Sequence, residues 1–338
     1  MGSIAFSWDL LDTAFIIDVR SEIEFDKGHI PGAVNIPILN TEERKIVGTT
    51  FKQAGQKHAI LKGLELSGPH LSKRLKQAVK LAENKDNIVV HCWRGGMRSS
   101  FFAYLMEFFG IKVTVIKGGY KSYRQQVIKS FEANYNFSIL GGMTGSGKTH
   151  ILHELDKINT AIIDLEGLAN HRGSSFGALG MEKQPSQEQF ENNLSYQLIK
   201  TNNKKCWIED ESRTVGAKII PEGIWNQMRK APHYFLDKTF DLRLDQIMED
   251  YGVFSKEDLQ FCMDRISKRL GPQHAKKAIH HLEIGELREA FSIALIYYDK
   301  TYTYHKEIHP LGEKFQIECK SKNNSQIAKH LFELSNGK

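Results

Sequence analysis

The stretch NFSILGGMTGSGKT, residues 136–149, decides the fold of the C-terminal part of this chain. Residues 136–140 have the apolar pattern of a buried strand, and the glycine-rich run that follows satisfies the Walker A spacing in full. The glycines free the backbone to wrap phosphates, the lysine neutralises their charge, and the start of the next helix adds its dipole. The sequence therefore predicts a phosphate-binding loop made by Gly142, Thr144, Gly145, Ser146, Gly147, Lys148 and Thr149, with Thr149 as a ligand for Mg²⁺.

Further apolar strands follow this loop and predict a parallel sheet with helices between its strands. They lie at residues 161–164, 206–209, 234–236 and 314–317. Between the last two strands the pattern is helical, which predicts a helical insertion over about 241–305. The C-terminal part is thus expected to be a P-loop NTPase-like α/β domain.

Polar residues near the ends of these strands are candidates for a metal and substrate site. An acidic strand end would hold the metal, and both Asp164 and the run from Glu209 to Glu211 satisfy this condition. The glycine-rich stretch 165–177 is typical of a substrate loop, although an ordinary surface loop has the same composition. The candidates are Asp164, Glu166, His171, Arg172, Ser174, Ser175, Glu209, Asp210, Glu211 and Arg213.

A second loop of unusual chemistry lies upstream, in HCWRGGMRSS, residues 91–100. It follows an apolar strand at 87–91 and places Cys92 before two glycines, with Arg94 and Arg98 beside them. Inward-pointing N–H groups and nearby arginines favour a thiolate and an anion. Strands at 14–19, 33–36 and 113–116 and helices at 70–83 and 99–109 complete a second α/β pattern.

The composition is that of an ordinary globular protein. The chain has 338 residues, of which 41% are hydrophobic and 25% charged, with a formal net charge of +6. Four scattered cysteines without a CxxC spacing fit a reducing compartment. No apolar run is long enough to span a bilayer and no secretory signal is evident, so we expect a cytoplasmic protein without a membrane partner.

The segments IIDVRSEIEFDKGHIPGAVNIP and VVHCWRGGMRS resemble a rhodanese domain over roughly residues 5–120. The resemblance implies that Cys92 carries a sulfur-group atom as a persulfide or perselenide, and that Asp18, Arg20 and His29 are scaffold. Many sulfurtransferases have a loop one residue shorter, and the spacing from Cys92 to Arg98 also matches rhodanese-fold phosphatases. The loop by itself therefore leaves sulfur transfer and phosphate chemistry open.

Two runs of basic residues, 117–129 and 265–277, are candidates for RNA contacts because basic side chains neutralise phosphates. Tyrosines within the first run could stack on unpaired bases. The alternative is a solvated helix face with tyrosines in the core. The candidates are Lys117, Lys121, Arg124, Arg265, Lys268 and Arg269.

Four motifs together resemble the tRNA 2-selenouridine synthase family over nearly the whole chain: HCWRGGMRS, GGMTGSGKTH, DLEGLANHRGSSFG and IEDESRTVG. The resemblance implies a rhodanese-like domain at 1–125 and a P-loop domain at 126–338. It also implies a tRNA partner whose anticodon loop bears 2-thiouridine, with geranyl diphosphate and selenophosphate as co-substrates and a selenophosphate-supplying enzyme as a further partner. The phosphate loop would hold the diphosphate, and Cys92 would handle selenium, with Arg94 and Arg98 holding the donor's phosphate. Phe176, Leu179 and Met181 are candidates for the geranyl pocket.

Two other classes of function stay open on the residues alone. One is a P-loop kinase or ATPase with a regulatory rhodanese-like module of the sulfurtransferase or phosphatase type. Robust ATP turnover without tRNA would support it. The other is a non-catalytic RNA-binding protein with a vestigial thiol loop, for which Cys92 should be unreactive.

Overall fold

A computed structural model describes residues 2–202, 204–306, 312–320 and 323–337. The chain divides into two compact units. The first contains Met1–Ser130 and Ser186–Tyr196, and the second contains Phe131–Pro185 and Gln197–Lys338. The domain boundary at residue 125 stays a prediction, and the sequence did not predict the second segment of the first unit.

The first unit is built on a five-stranded parallel sheet in the order β1-β5-β4-β2-β3. Its strands are β1 (Gly2–Ile4), β2 (Phe15–Asp18), β3 (Val34–Asn35), β4 (Ile88–His91) and β5 (Val113–Ile116). Its helices are α1 (Leu10–Thr13), α2 (Glu22–Lys27), α3 (Thr41–Ala82), α4 (Met97–Phe108) and α5 (Gly119–Ser130). All four residues of β4 are buried, as expected of a strand with neighbours on both sides.

Helix α3 is much longer than the predicted helix at 70–83. It kinks at Gly55, whose φ of 82° and ψ of −177° are not helical, and it contains Pro69. Its later part has the apolar stripe that packs on the sheet, with Leu75, Ala78 and Ala82 in the core. The earlier part is mostly polar, so the sequence shows little amphipathic signal there.

The second unit has its own five-stranded parallel sheet, in the order β12-β11-β6-β8-β7. The strands, with the small hairpin β9–β10, are β6 (Phe137–Gly142), β7 (Ala161–Ile163), β8 (Cys206–Glu209), β9 (Thr214–Val215), β10 (Lys218–Ile219), β11 (His233–Lys238) and β12 (Lys314–Cys319). The helices are α6 (Lys148–Lys157), α7 (Leu165–Ala169), α9 (Glu222–Lys230), α10 (Phe240–Tyr251), α11 (Lys256–Leu270), α12 (Pro272–Glu283), α13 (Leu287–Lys306) and α14 (Asn324–Ser335), and the second unit also contains the last residues of α8 (Gln187–Lys200).

The predicted helical insertion is present as α10 to α13, between strands β11 and β12. These helices bury a core of their own, which includes Leu259, Met263, Ile266 and Leu295. Phe176, from the loop after α7, packs into the same core. The insertion is therefore joined to the loop that the sequence assigns to substrate.

Helix α8 begins in the first unit. Its Glu188 and Asn192 side chains form hydrogen bonds with the Tyr120 hydroxyl, each at 2.8 Å. Tyr120 and Tyr123 of α5 are fully buried. Of the two interpretations of these tyrosines, the structure favours core packing over stacking on bases.

We find no helix in the described ranges that combines the length and apolar character needed to cross a bilayer.

Candidate functional site

The chain turns tightly around a thiol after strand β4, and we call residues 92–98 the thiol loop. Cys92 is 4% exposed. Its Sγ accepts a hydrogen bond from the Gly96 N–H at 3.3 Å and lies 3.3 Å from the Ser99 Oγ. Helix α4 begins directly after Gly96, so the positive end of its dipole lies beside the sulfur. This arrangement stabilises negative charge on Cys92.

Opposing effects set the pKa of the Cys92 thiol. Burial raises it, whereas the hydrogen bond with the Ser99 hydroxyl, the charge of Arg98 and nearby backbone N–H groups lower it more strongly. The resulting pKa lies below that of an ordinary thiol. The other cysteines, Cys206, Cys262 and Cys319, have pKa values raised by burial. Because the thiolate is the nucleophile, Cys92 is the candidate nucleophile among the four cysteines.

Two glycines allow the thiol loop to lie against the start of α5. Gly95 has a φ of +62° and Gly119 a φ of +56°, both in the left-handed region. A Cβ on Gly95 would collide with the Ile116 carbonyl oxygen, and one on Gly119 with the Cys92 carbonyl oxygen. In this position the Tyr120 N–H donates to the Cys92 carbonyl at 2.9 Å. The loop shape therefore depends on backbone contacts that only glycine permits.

The two arginines of the thiol loop have different surroundings. The Arg98 guanidinium donates to both carboxylate oxygens of Glu24, at 2.7 and 3.2 Å. Burial raises the pKa of Glu24, but the hydrogen bond and charge of Arg98, with smaller effects of Ser21 and Arg44, lower it by more. The resulting pKa is about 2. Arg94 is exposed and has no hydrogen bond or ion pair to any described residue. Arg94 is thus available to bind an anion, whereas the positive charge of Arg98 lowers the pKa of the Cys92 thiol.

A buried ion pair between Arg20 and Asp18 lies inside the first unit. Arg20 is fully buried, and its Nη2 lies 2.6 Å from the Asp18 Oδ2 and donates to the Gly28 carbonyl at 2.7 Å. Its guanidinium stacks over the Tyr120 ring at 3.8 Å. The His29 Nδ1 lies 3.0 Å from the Phe25 carbonyl. These contacts lie within the fold, as expected of scaffold residues.

Replacing Ser99 with alanine should shift the alkylation of Cys92 to higher pH. The hydroxyl stabilises the thiolate, so its loss raises the pKa and lowers the thiolate fraction at any pH below that value. A hydrogen bond to a charged group is worth about 1.5–3 kcal/mol, so the half-maximal rate should move by about one pH unit or more. Iodoacetamide labelling followed by peptide mass spectrometry measures this rate. Ser100→Ala is the matched control, and an unchanged profile in Ser99→Ala would show that Ser99 does not hold the thiolate.

The second unit carries the predicted phosphate loop, residues 142–149, at the end of its central strand β6. Gly145 and Gly147 have φ values of +78° and +73°. The Lys148 Nζ donates to the Gly142 carbonyl at 3.3 Å. Burial lowers the pKa of Lys148, but Glu211 and neighbouring carboxylates raise it more. Lys148 therefore keeps its charge where a phosphate would lie.

Two buried carboxylates meet the hydroxyl of Thr149. The Thr149 Oγ1 lies 2.8 Å from the Glu166 Oε2 and 2.9 Å from the Glu209 Oε1. A hydroxyl has one proton and cannot donate to both. The second contact is therefore favourable only if one carboxyl group carries a proton or if a cation binds these oxygens. Burial and neighbouring carboxylates raise the pKa of Glu209 well above its usual range and that of Glu211 to about 8.

These oxygens are suitable ligands for Mg²⁺. Thr149, Glu166 and Glu209 offer a hydroxyl and two carboxylates, which are the hard donors that Mg²⁺ prefers. Within the described ranges, no three acidic, histidine or cysteine side chains already form a metal site. Mg²⁺ usually completes its shell with water and substrate phosphates, so a partial protein site fits this ion.

The other acidic candidates have local partners. The Asp164 Oδ1 accepts the Gly167 N–H at 2.6 Å, which caps α7, and its Oδ2 lies 2.9 Å from the His153 Nε2. The Asp210 Oδ2 lies 2.9 Å from the His233 Nε2. Of the two strand ends considered for the metal, β8 brings its Glu209 to Thr149, whereas Asp164 lies against His153.

A cavity of about 760 Å³ opens beside the phosphate loop. Arg172 and Ser174 of the predicted substrate loop line it, together with Glu166 and Glu211. The Arg172 guanidinium lies 5.4 Å from the centre of the Tyr251 ring. The structure thus brings part of the substrate loop and the acidic cluster together.

Four of the candidates are not among the residues that line this cavity: Glu209, which contacts Thr149 instead, and His171, Ser175 and Arg213. Ser175 donates its N–H to the Tyr298 hydroxyl at 3.3 Å. Arg213 lies 4.0 Å from Glu222 in an exposed ion pair. Among the described residues, we find no side-chain contact that gives His171 or Arg213 a part in this cavity.

The candidate RNA-binding residues differ in exposure. Arg124 is held by Glu191 at 2.5 Å and by Asn192 at 2.6 Å, both on α8. The remaining five have exposed side chains: Lys117, Lys121, Arg265, Lys268 and Arg269. Their role in RNA binding stays a prediction, and Arg124 serves the fold through α8.

Sequence reasoning missed Glu24 and Arg243. Glu24 precedes Arg98 by 74 positions, and Arg243 donates from α10 to the Thr144 carbonyl at 3.1 Å. The Ser21-x-x-Glu24 capping box was a visible signal at Glu24, but it predicts only a helix start. No motif marks Arg243.

Fold and site together define a two-part α/β enzyme, with a reactive thiol loop in one unit and a Walker-type phosphate loop in the other. Models of two protein families match the chain. The model described as a rhodanese-like domain covers residues 7–126, and the model described as a tRNA 2-selenouridine synthase AAA domain covers residues 135–333. The chain belongs to the tRNA 2-selenouridine synthase family and is an enzyme of that type.

Similar proteins with this name come from several bacteria. The tRNA 2-selenouridine synthase of Pseudomonas putida (strain GB-1) is 34% identical, over 88% of this chain and 89% of the relative. That of Nitrosomonas europaea is 40% identical, over 70% of this chain and 63% of the relative. A crystal structure of an N-terminal domain from Clostridium difficile 630 is 41% identical and covers 34% of this chain and 89% of that chain. Its TM-score is 0.33, a likeness too partial to bear on the fold.

Proposed function

We propose that this enzyme replaces the sulfur of wobble 2-thiouridine in tRNA by selenium, in two steps that use the two loops separately. The observation that carries the proposal is that one chain contains two different loops whose charges and backbone N–H groups are suited to anions. One places a thiol of lowered pKa beside an exposed arginine, and the other places Lys148 beside a cavity of about 760 Å³. The family name supports the nucleoside product and a selenium donor.

In the first step, the sulfur of the base attacks carbon 1 of geranyl diphosphate. A sulfur–carbon bond forms, the carbon–oxygen bond to diphosphate breaks, and the N3 proton of the base is released. Alkylation turns a poor leaving group into a good one and makes carbon 2 of the base electrophilic. Lys148 and the N–H groups of the phosphate loop bind the diphosphate and stabilise the charge that develops on it.

Mg²⁺ would be held by Thr149 with Glu166 or Glu209, and when bound it would neutralise charge on the leaving diphosphate. The cavity around Lys148 otherwise contains an excess of carboxylates. Lys148 alone cannot offset both these carboxylates and an incoming diphosphate. The acidic surroundings thus favour a divalent cation as co-ligand.

In the second step, selenium from selenophosphate replaces the geranylthio group. A carbon–selenium bond forms at carbon 2, and geranylthiolate leaves with the electron pair of the carbon–sulfur bond and takes up a proton as geranylthiol. Selenium stays at the same oxidation level throughout. A perselenide on Cys92, as the rhodanese resemblance implies, would require a two-electron oxidant when selenophosphate is the donor.

A redox-neutral role for the Cys92 thiolate is attack on the phosphorus of selenophosphate. This attack forms a sulfur–phosphorus bond and releases selenide, which then attacks carbon 2 of the base. Water hydrolyses the sulfur–phosphorus bond to restore the thiolate and release phosphate. The spacing from Cys92 to Arg98, which matches rhodanese-fold phosphatases, and the exposed Arg94 support this assignment. Helix N–H groups and arginine are suited to a phosphate in this position.

Nucleoside mass spectrometry tests the proposal on 2-thiouridine tRNA incubated with the full chain. Geranyl diphosphate with Mg²⁺ should give an S-geranyl nucleoside, and adding selenophosphate should convert it to 2-selenouridine. An unchanged nucleoside on bound tRNA would overturn the proposal. Robust ATP turnover in the same preparation without tRNA would then favour the kinase or ATPase alternative.

A further inference from the structure

The cavity beside the phosphate loop has an apolar wall that the proposed reaction requires but the sequence did not identify. Phe291, Ala294, Leu295 and Tyr298 of α13 line it. Their spacing places them on one face of the helix. Ala294 is 4% exposed and is the smallest side chain of this face. A larger side chain at this position would extend into the cavity.

Helix α10 holds this wall against the phosphate loop. A Cβ on Gly145 would lie 2.7 Å from the Arg243 carbonyl oxygen and 2.9 Å from the Ile247 Cδ1, so the helix and the loop are in contact. The Arg243 side chain donates to the Thr144 carbonyl at 3.1 Å and to both carboxylate oxygens of Asp299, each at 2.7 Å. Arg243 thus ties the phosphate loop, α10 and α13 together.

This wall is the apolar part of a cavity whose lining otherwise includes Arg172, Asp210, Glu211 and Asp250. The rings of Phe176, Tyr251 and Phe291 form a cluster with centroids 5.8 to 6.5 Å apart. The Tyr298 hydroxyl already accepts the Ser175 N–H. A nucleotide base needs several convergent hydrogen-bonding groups, whereas a hydrocarbon chain needs shape and apolar surface. The volume of about 760 Å³ lies within the usual range for small-molecule sites.

We propose that the insertion helices α10 and α13 bind the isoprenoid chain of the diphosphate donor, and that Ala294 and Phe291 set the chain length accepted. This inference rests on the proposed function and deepens it. Lys148 and the phosphate loop hold the diphosphate at one end, and the α13 face receives the hydrocarbon. Of the sequence candidates for this pocket, Phe176 and Met181 line the cavity, whereas Leu179 packs against the insertion core instead.

Ala294→Phe should fill the cavity and shorten the accepted chain. Each carbon excluded from apolar surroundings costs roughly fourfold. If the new ring excludes about three carbons of the chain, the rate with geranyl diphosphate relative to dimethylallyl diphosphate should fall by on the order of 100-fold. Phe291→Ala should enlarge the cavity and raise the rate with farnesyl diphosphate relative to geranyl diphosphate by about tenfold. A ratio of rates within one preparation does not depend on how much of the variant folds.

Ile296→Phe is the matched control, because Ile296 lies on the same helix, is 47% exposed and is not among the residues that line the cavity. It should keep the wild-type ratios. If Ala294→Phe and Phe291→Ala also keep them, α13 does not set chain length and the inference is overturned.

Binding without tRNA separates this inference from the proposed function. Wild-type protein should bind geranyl diphosphate more tightly than inorganic diphosphate, and Ala294→Phe should lose that difference while still binding diphosphate. Equal affinities in the wild type would overturn the isoprenoid site. The expected affinities without any transfer to tRNA would support the site and overturn the proposed reaction.

Discussion

Replacing Cys92 with serine should abolish selenation and leave geranylation intact. Serine keeps the size of the side chain but does not form an oxyanion near neutral pH, so it cannot replace the thiolate. Loss of a covalent nucleophile costs on the order of 10⁴-fold or more in rate. Nucleoside mass spectrometry should therefore show the S-geranyl nucleoside accumulating, with 2-selenouridine reduced at least about 1,000-fold.

A cysteine elsewhere in the fold provides the control. Cys319 is as buried as Cys92, but burial raises its pKa, so it is not prepared as a nucleophile. Cys319→Ser should retain both steps. If Cys92→Ser lost geranylation and selenation equally, the two loops would not divide the reaction as proposed.

Lys148→Ala should have the opposite pattern and block geranylation. Lys148 is surrounded by four carboxylates that raise its pKa, the strongest being Glu211. Without the ammonium group, a diphosphate would meet uncompensated negative charge. We expect the rate of S-geranyl nucleoside formation to fall by about 1,000-fold, a loss typical of removing a main electrostatic contact to the developing charge.

Supplying tRNA that already carries the S-geranyl nucleoside should restore selenation in Lys148→Ala, because the thiol loop is unchanged. Lys157→Ala is the matched control. Lys157 also lines the cavity, but it is exposed and paired with Glu154 at 2.5 Å. It should geranylate at nearly the wild-type rate. Normal geranylation by Lys148→Ala would mean that the diphosphate binds elsewhere.

Both loops could be predicted because their chemistry is local. Cys92 and Gly96, or Gly142 and Lys148, are a few residues apart, and each loop follows a strand whose apolar run is visible in the sequence. Backbone N–H groups, glycines at positive φ and a helix start act over this distance. Apart from β1, the strands of both parallel sheets were predicted for the same reason. Strand β1 and the first part of α3 were not, because they lack a clear apolar pattern.

Contacts that join distant segments were not visible. Arg98 was expected to bind the donor's phosphate, but Glu24 occupies its guanidinium. Arg124 resembled an RNA contact, yet α8 holds it. Both arginines lie in basic or glycine-rich stretches whose local composition does not reveal the partner, because the partner comes from another helix.

The sequence by itself determined the two parallel sheets and the positions of the two loops, since periodicity and local backbone geometry depend on consecutive residues. Only the tertiary structure decided that Thr149 meets both Glu166 and Glu209, and that α13 turns an apolar face to the phosphate loop. An apolar helix face has the same pattern of residues in the sequence whether it packs in a core or lines a cavity. The difference lies in how neighbouring helices pack, which no short stretch of sequence specifies.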